Sequence, residues 1–236
     1  MKKLLIFFAS FLTMAAIGQT LAFSAQASNS TNINVQTIPG STVTEQVASN
    51  VKRSWPWYVS RGSGLLAAVS LVILMLSGIG QITGDTFRFL DPITSWASHR
   101  SLGIVFGGSI IAHVFSLLFD HYLKFTILDI FVPWHSKFQE ASLFGFKIGS
   151  AYLAFGIVAF YLSMLVVVSS LIWITSKAKL WKLIHLMSYV VILLIFFHAV
   201  MIGTDLSHGW AKIVWYVLGA TILVGSIVRG WRSFTA

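Results

Sequence analysis

Five long stretches of this chain contain no Asp, Glu, Lys or Arg: Gly62–Ile82, Ser101–Phe119, Ile148–Ser176, Leu183–Thr204 and Ile213–Val228. A helix needs about 20 mostly apolar residues to cross the hydrocarbon of a bilayer. The runs therefore predict five transmembrane helices in an all-α, polytopic membrane bundle. The last run is the shortest, but Lys212 and Arg229 flank it and can extend their charged ends to the headgroups. Composition agrees. Of 236 residues, 56% are hydrophobic and only 10% charged, more apolar surface than a soluble domain of this size can bury.

The N-terminus has a different pattern. Met1-Lys2-Lys3 precedes a short apolar run, Leu4–Gly18, and then Ala25-Gln26-Ala27. A basic start, an apolar centre and a small-x-small exit are the parts of a secretory signal peptide, and residues 1–27 are expected to be one. The rival reading retains the segment as a signal anchor and sixth helix, since Leu4–Ala25 is long enough to span. Ser28–Asn50 is rich in Ser, Thr, Asn and Gln and reads as part of a polar exported linker over 28–60. The membrane domain then covers 61–229, and 230–236 forms a cytoplasmic tail.

The net charge of +9 does not predict nucleic-acid binding, because the basic residues sit at helix ends, where topology explains them. The loop Lys177–Lys182 carries three lysines and no acid, which places it in the cytoplasm by the positive-inside rule. Counting from there puts Asp205–Ala211 and the 120–147 segment outside, Phe87–His99 inside, and Arg229 and the C-terminus inside. Helices two and four run in the same direction. Lys52, Arg53 and Arg61 fall on the less favoured side. The expected location is a bacterial inner membrane. Within the outer segment, Phe125–Trp134 suits either a short interfacial helix or a solvated loop. The absence of cysteine excludes cysteine-ligated iron–sulfur clusters, covalent haem attachment and disulfides within the chain.

All seven acids lie outside the apolar runs, whereas His113, His185 and His198 lie inside them and His99 stands at the mouth of the second. Ionisable groups in a membrane are costly and usually functional. Neutral imidazole is a good iron ligand, and a haem between helices can take one from each side. His99 and His113 are 14 residues apart on helix two, and His185 and His198 are 13 apart on helix four. Each pair therefore spans roughly 20 Å, which suits two haems at two depths. The inner one would use His99 and His185, and the outer one His113 and His198. Fourteen residues return an ideal helix to within about 40° of its start, but thirteen leave about 140°, so His185 and His198 do not share a face. Gly103 and Gly107 would let a porphyrin approach helix two; ordinary small-residue packing explains them equally well. Phe106 lies midway between His99 and His113, where core packing is the simpler role. His121, His135 and His208 read as surface residues, with a metal or substrate role at the outer face as the alternative.

The constellation resembles the ferric reductase-like transmembrane domain shared by ferric-chelate reductases, NADPH oxidases and the haem subunit of a bacterial methionine sulfoxide reductase system. The resemblance rests on His99-Arg100-Ser101-Leu102-Gly103 with His113, on Trp181-Lys182-Leu183-Ile184-His185 with His198, and on Ser60-Arg61-Gly62-Ser63-Gly64; it covers about 57–230. It implies two stacked b haems that carry electrons across the membrane. In the sulfoxide reductase subunits the position matching His99 is often Arg, so four histidines favour the reductase and oxidase type.

Only Gly230–Ala236 follows Arg229, and there is no glycine-rich dinucleotide fingerprint. FAD or FMN is therefore expected only on a partner: a cytoplasmic flavin reductase, with membrane quinol as the other possible donor. Arg100 and Lys182 are expected to neutralise inner haem propionates, to dock that partner together with Lys177, Lys179 and Arg229, or both. Ferric chelates, dioxygen and an exported redox protein all suit the extracytoplasmic acceptor. Two other classes compete: a haem-binding relay subunit without a substrate site, and a haem-free transporter. The lack of an intramembrane carboxylate weighs against the transporter.

Overall fold

The computed structural model describes residues 43–120, 123–138, 142–143, 146–147, 150–206 and 209–235. The signal-peptide expectation for 1–27, together with His121 and His208, lies outside them. The chain divides into two compact units, Met1–Ser49 and Asn50–Ala236. Only the opening of the first helix is described in the former.

Among the described residues seven α-helices follow in order: α1 Val43–Thr83, α2 Pro92–Leu117, α3 Ile127–Phe131, α4 Ala151–Ile172, α5 Ala178–His185, α6 Ser188–Ile202 and α7 Gly209–Thr235. Five described segments are long and apolar enough to cross a membrane: Ser54–Thr83, Pro92–Leu117, Ala151–Ile172, Ala178–Ile202 and Gly209–Trp231. These are the five spans read from the sequence, and the chain is an integral membrane protein. Their outward faces show why. Ile93, Ile104, Ile111 and Phe115 stand exposed along α2, and Ile213, Val217, Val224 and Ile227 along α7. Such apolar surface suits lipid rather than water.

One expectation is corrected at the N-terminal side. Residues 43–60 are helical rather than linker, since α1 begins at Val43. Once a span has nucleated a helix, each added residue gains a hydrogen bond for little further entropy. Val43–Asn50 contains Glu45, Gln46 and Ala48, which do not oppose it. Pro56 lies within α1, a position that spanning helices tolerate.

The boundaries of the other spans have local causes. Asp91 accepts from Thr94 N–H at 2.9 Å and Pro92 opens the first turn, so α2 starts there. Those Thr94 hydrogen bonds hold the Asp91 carboxyl below its ordinary range. Ser150 caps α4 through Leu153 N–H at 3.3 Å. In the segment joining α2 to α4, only Ile127–Phe131 of the stretch Phe125–Trp134 is helical. Thr126 and Asp129 form a reciprocal capping box at its start. A two-residue antiparallel ladder follows, pairing Ser142 with Lys147 and Leu143 with Phe146.

The core draws on all five spans: Leu71, Val72 and Met75 of α1, Phe106 and Ile110 of α2, Ala154 and Ala159 of α4, Val191 and Val200 of α6, and Trp215 and Ile222 of α7. It contains no charge. α4 packs closely against α6 and also touches α2.

Candidate functional site

Two cavities lie inside the bundle, one toward each end. The first, of about 650 Å³, is walled by His99, Arg100 and Gly103 of α2, Lys182 and His185 of α5, and Arg229 of α7. The second, of about 710 Å³, is walled by Ser60 and Arg61 of α1, His113 of α2, Asp120, His198 of α6, and Asp205. Of the eight site residues named from the sequence, five line the first cavity and two the second. Gly107 lines neither. A Cβ there would meet Val167 Cγ1 at 3.3 Å, so Gly107 serves the contact between α2 and α4. Phe106, 3% exposed, belongs to the core and to the wall of the first cavity.

The histidines are brought together as paired. The rings of His99 and His185 lie 6.2 Å apart between centroids, and His113 shares the second cavity with His198. The angular mismatch on the fourth span has a structural answer. Between α5 and α6 the winding tightens. Met187 N–H bonds to Ile184 O at 2.9 Å and Tyr189 N–H to Leu186 O at 3.2 Å, both three residues back. Leu186 (φ −62, ψ −22) and Met187 (φ −62, ψ −15) have 3₁₀ geometry. Three or four residues turning about 120° instead of 100° advance the helix by an extra 60–80° or so. That removes about half of the offset between His185 and His198.

Each ring is held by one nitrogen. His113 Nδ1 lies 2.8 Å from the Ser60 carbonyl oxygen, and His198 Nδ1 lies 2.9 Å from that of Tyr152. A carbonyl only accepts, so both rings carry their proton on Nδ1. The other two face hydroxyls. Ser77 Oγ donates to Leu74 O and lies 2.9 Å from His99 Nδ1. Ser170 Oγ donates to Val166 O, accepts from Trp181 Nε1 at 3.1 Å, and lies 3.2 Å from His185 Nδ1. A hydroxyl both donates and accepts, so these two contacts suit either direction. All four imidazoles are thus engaged through Nδ1, and no hydrogen bond among the described residues uses an Nε2. A histidine held through Nδ1 in this way presents Nε2 to a metal.

Glycines supply the room. A Cβ at Gly156 would lie 2.5 Å from His198 Cε1, and one at Gly64 would lie 3.0 Å from His113 Nδ1. Sequence reading missed these supports, namely Ser77, Ser170, Gly156 and the Tyr152 carbonyl. Serine and glycine are common in packed spans, and their partners lie on other helices. Ser60 and Gly64 did stand within a motif singled out earlier; both serve His113.

Arg61 is neutralised in place. Its Nε donates to Asp205 Oδ2 at 2.9 Å and a second nitrogen to Oδ1, while the guanidinium sits 4.2 Å from the Trp57 ring centroid. Arg229 donates to the Tyr189 hydroxyl beside the first cavity. His135, exposed, pairs with Asp129 at 3.1 Å and stands in neither cavity wall. No three His, Asp or Glu side chains converge as a metal site among the described residues.

No family model, curated protein or solved structure matches the chain.

Proposed function

We propose that the chain is a transmembrane b-type cytochrome: it holds two haems, each between two histidines, and passes single electrons across the membrane. The carrying observation is the set of four imidazoles, paired across two cavities, each anchored through Nδ1 with Nε2 left over. The residues fit the group. Two nitrogen ligands alone leave a bare ion underligated, and no third protein ligand joins either pair among the described residues; a porphyrin brings four of its own. Both cavities fall in the size range of cofactor sites. A haem bound this way supplies one-electron exchange at its iron.

The chain's own residues do the rest. Ser77, Ser170 and the carbonyls of Ser60 and Tyr152 fix ring orientation and strengthen Nε2 as a ligand. Arg100, Lys182 and Arg229 offer counter-charges for propionates at the first cavity. Lys177, Lys179 and Lys182, all exposed, give that end a basic surface for an acidic donor protein carrying FAD or FMN, with quinol as the alternative donor. The positive-inside rule makes that end cytoplasmic, together with the C-terminus, in a bacterial inner membrane. The acceptor is then extracytoplasmic, with ferric iron among the candidates.

The test is a visible spectrum of the purified protein, oxidised and dithionite-reduced, with porphyrin quantified per chain. Two haems are expected in the wild type and one in His113→Ala or His198→Ala. A colourless preparation would overturn the reading and return the chain to the transporter class. A haem-loaded chain that reduces neither ferric chelates nor oxygen alongside a flavin reductase is a relay subunit without a substrate site.

A further inference from the structure

The two cavities differ most in charge. Arg100, Lys182 and Arg229 line the first, with no carboxylate, for a formal +3. Arg61, Asp120 and Asp205 line the second, which gives +1 − 2 = −1. The local arrangement sharpens the contrast. Arg61 is ion-paired to Asp205 through both carboxylate oxygens, so that cation and that anion largely cancel. Asp120, 5% exposed, is the second carboxylate in that wall. At the other end Arg229 donates to a neutral phenol, Tyr189, and its guanidinium lies 5.6 Å from that ring's centroid. These contacts hold Arg229 in place without compensating its charge.

Taking up an electron adds one negative charge at the site that receives it. Nearby cations favour that step and nearby anions oppose it. Between lipid-embedded helices the effect is stronger than in water, because the dielectric is lower and salt screens less. Resting on the haem reading above, we propose that the chain poises its two redox sites apart. The site between His99 and His185 is the easier to reduce, and the site between His113 and His198 the harder. Identical porphyrins carry identical propionates, so the difference is the protein's. In a chain holding one electron, that electron resides at the His99–His185 site at least about tenfold more often, a separation of about 59 mV for a one-electron couple. The second site fills when a second electron arrives. No bond forms or breaks in either step.

The experiment is a potentiometric titration of the full-length purified protein in detergent, followed by its visible absorbance. Two one-electron components are expected. His113→Ala, which keeps only the first site, should retain the higher component, and His99→Ala the lower. Arg229→Gln should move only the higher component, downward; Lys182→Gln, at an exposed position, is a second arm less dependent on folding. Asp120→Asn should move only the lower component, upward. A single unsplit wave, or a His113→Ala protein that retains the lower component, overturns the inference while leaving the haem assignment standing. Absence of porphyrin overturns the haem assignment itself, and this proposal with it.

Discussion

His198 seats its ring against α4, where Nδ1 lies 2.9 Å from the Tyr152 carbonyl and the next turn presents Gly156. A Cβ on Gly156 would come within 2.5 Å of both Nδ1 and Cε1 of that ring. The glycine is therefore a notch shaped to the imidazole. Alanine in a helix interior is favoured over glycine by roughly 0.5–1 kcal/mol, so any loss in Gly156→Ala must come from the clash. Overpacking of this kind costs about 1–3 kcal/mol. On the proposed haem reading, Gly156→Ala should lose haem from the second site and keep it at the first. Gly108→Ala, where a Cβ meets nothing within 4 Å, should keep both. Equal haem content in the two variants would refute the notch.

The first site depends on hydroxyls rather than carbonyls. Ser170→Ala removes the hydroxyl partner of His185 and also leaves Trp181 Nε1 without its partner. Loss of such a supporting group typically weakens a metal site 10- to 100-fold. Competition with a haem-scavenging apoprotein should show faster loss from the first site in Ser170→Ala and in Ser77→Ala. Ser63→Ala is the control, since its hydroxyl bonds only to carbonyls of its own helix. No change in the loss rate would mean that the hydroxyls are incidental.

Arg61 and Asp205 tie the first span to the turn after α6, with side chains 32% and 20% exposed. The pair lies between an exposed ion pair, worth about 0.2–1 kcal/mol, and a buried one, whose breaking costs about 3–5. A double-mutant cycle with Arg61→Gln and Asp205→Asn should give a coupling of about 1–3 kcal/mol, measured by thermal unfolding in detergent. Additive effects would show that the pair contributes nothing.

Topology can be read chemically because the wild-type chain has no cysteine. Lys179, beside the first cavity's end, and Lys124, before α3, lie beyond opposite ends of span two. A single Lys124→Cys should react with a membrane-impermeant maleimide in intact cells, and Lys179→Cys only after lysis. The reverse pattern would invert the orientation and leave the fold untouched.

The spans were legible in the sequence because hydropathy is a local property. Each run had only to be long and free of charge, whatever its neighbours. The depth of the histidines was legible for the same reason, since spacing along one helix sets it. Their azimuth was not. The offset between His185 and His198 is about halved by a tightened turn at Leu186–Met187 that no residue there advertises, and His113 and His198 take their acceptors from Ser60 and Tyr152, 53 and 46 residues away. Gly107 makes the same point. Its sequence position suits a cofactor as well as a helix contact, and only the approach of Val167 decides for the contact. Sequence alone thus determined which segments enter the membrane and which ionisable side chains go with them, through transfer free energy residue by residue. Ring orientation, tautomer, cavity shape and the cancellation of Arg61 by Asp205 depend on atoms that meet only when distant helices pack. Those the tertiary structure decided.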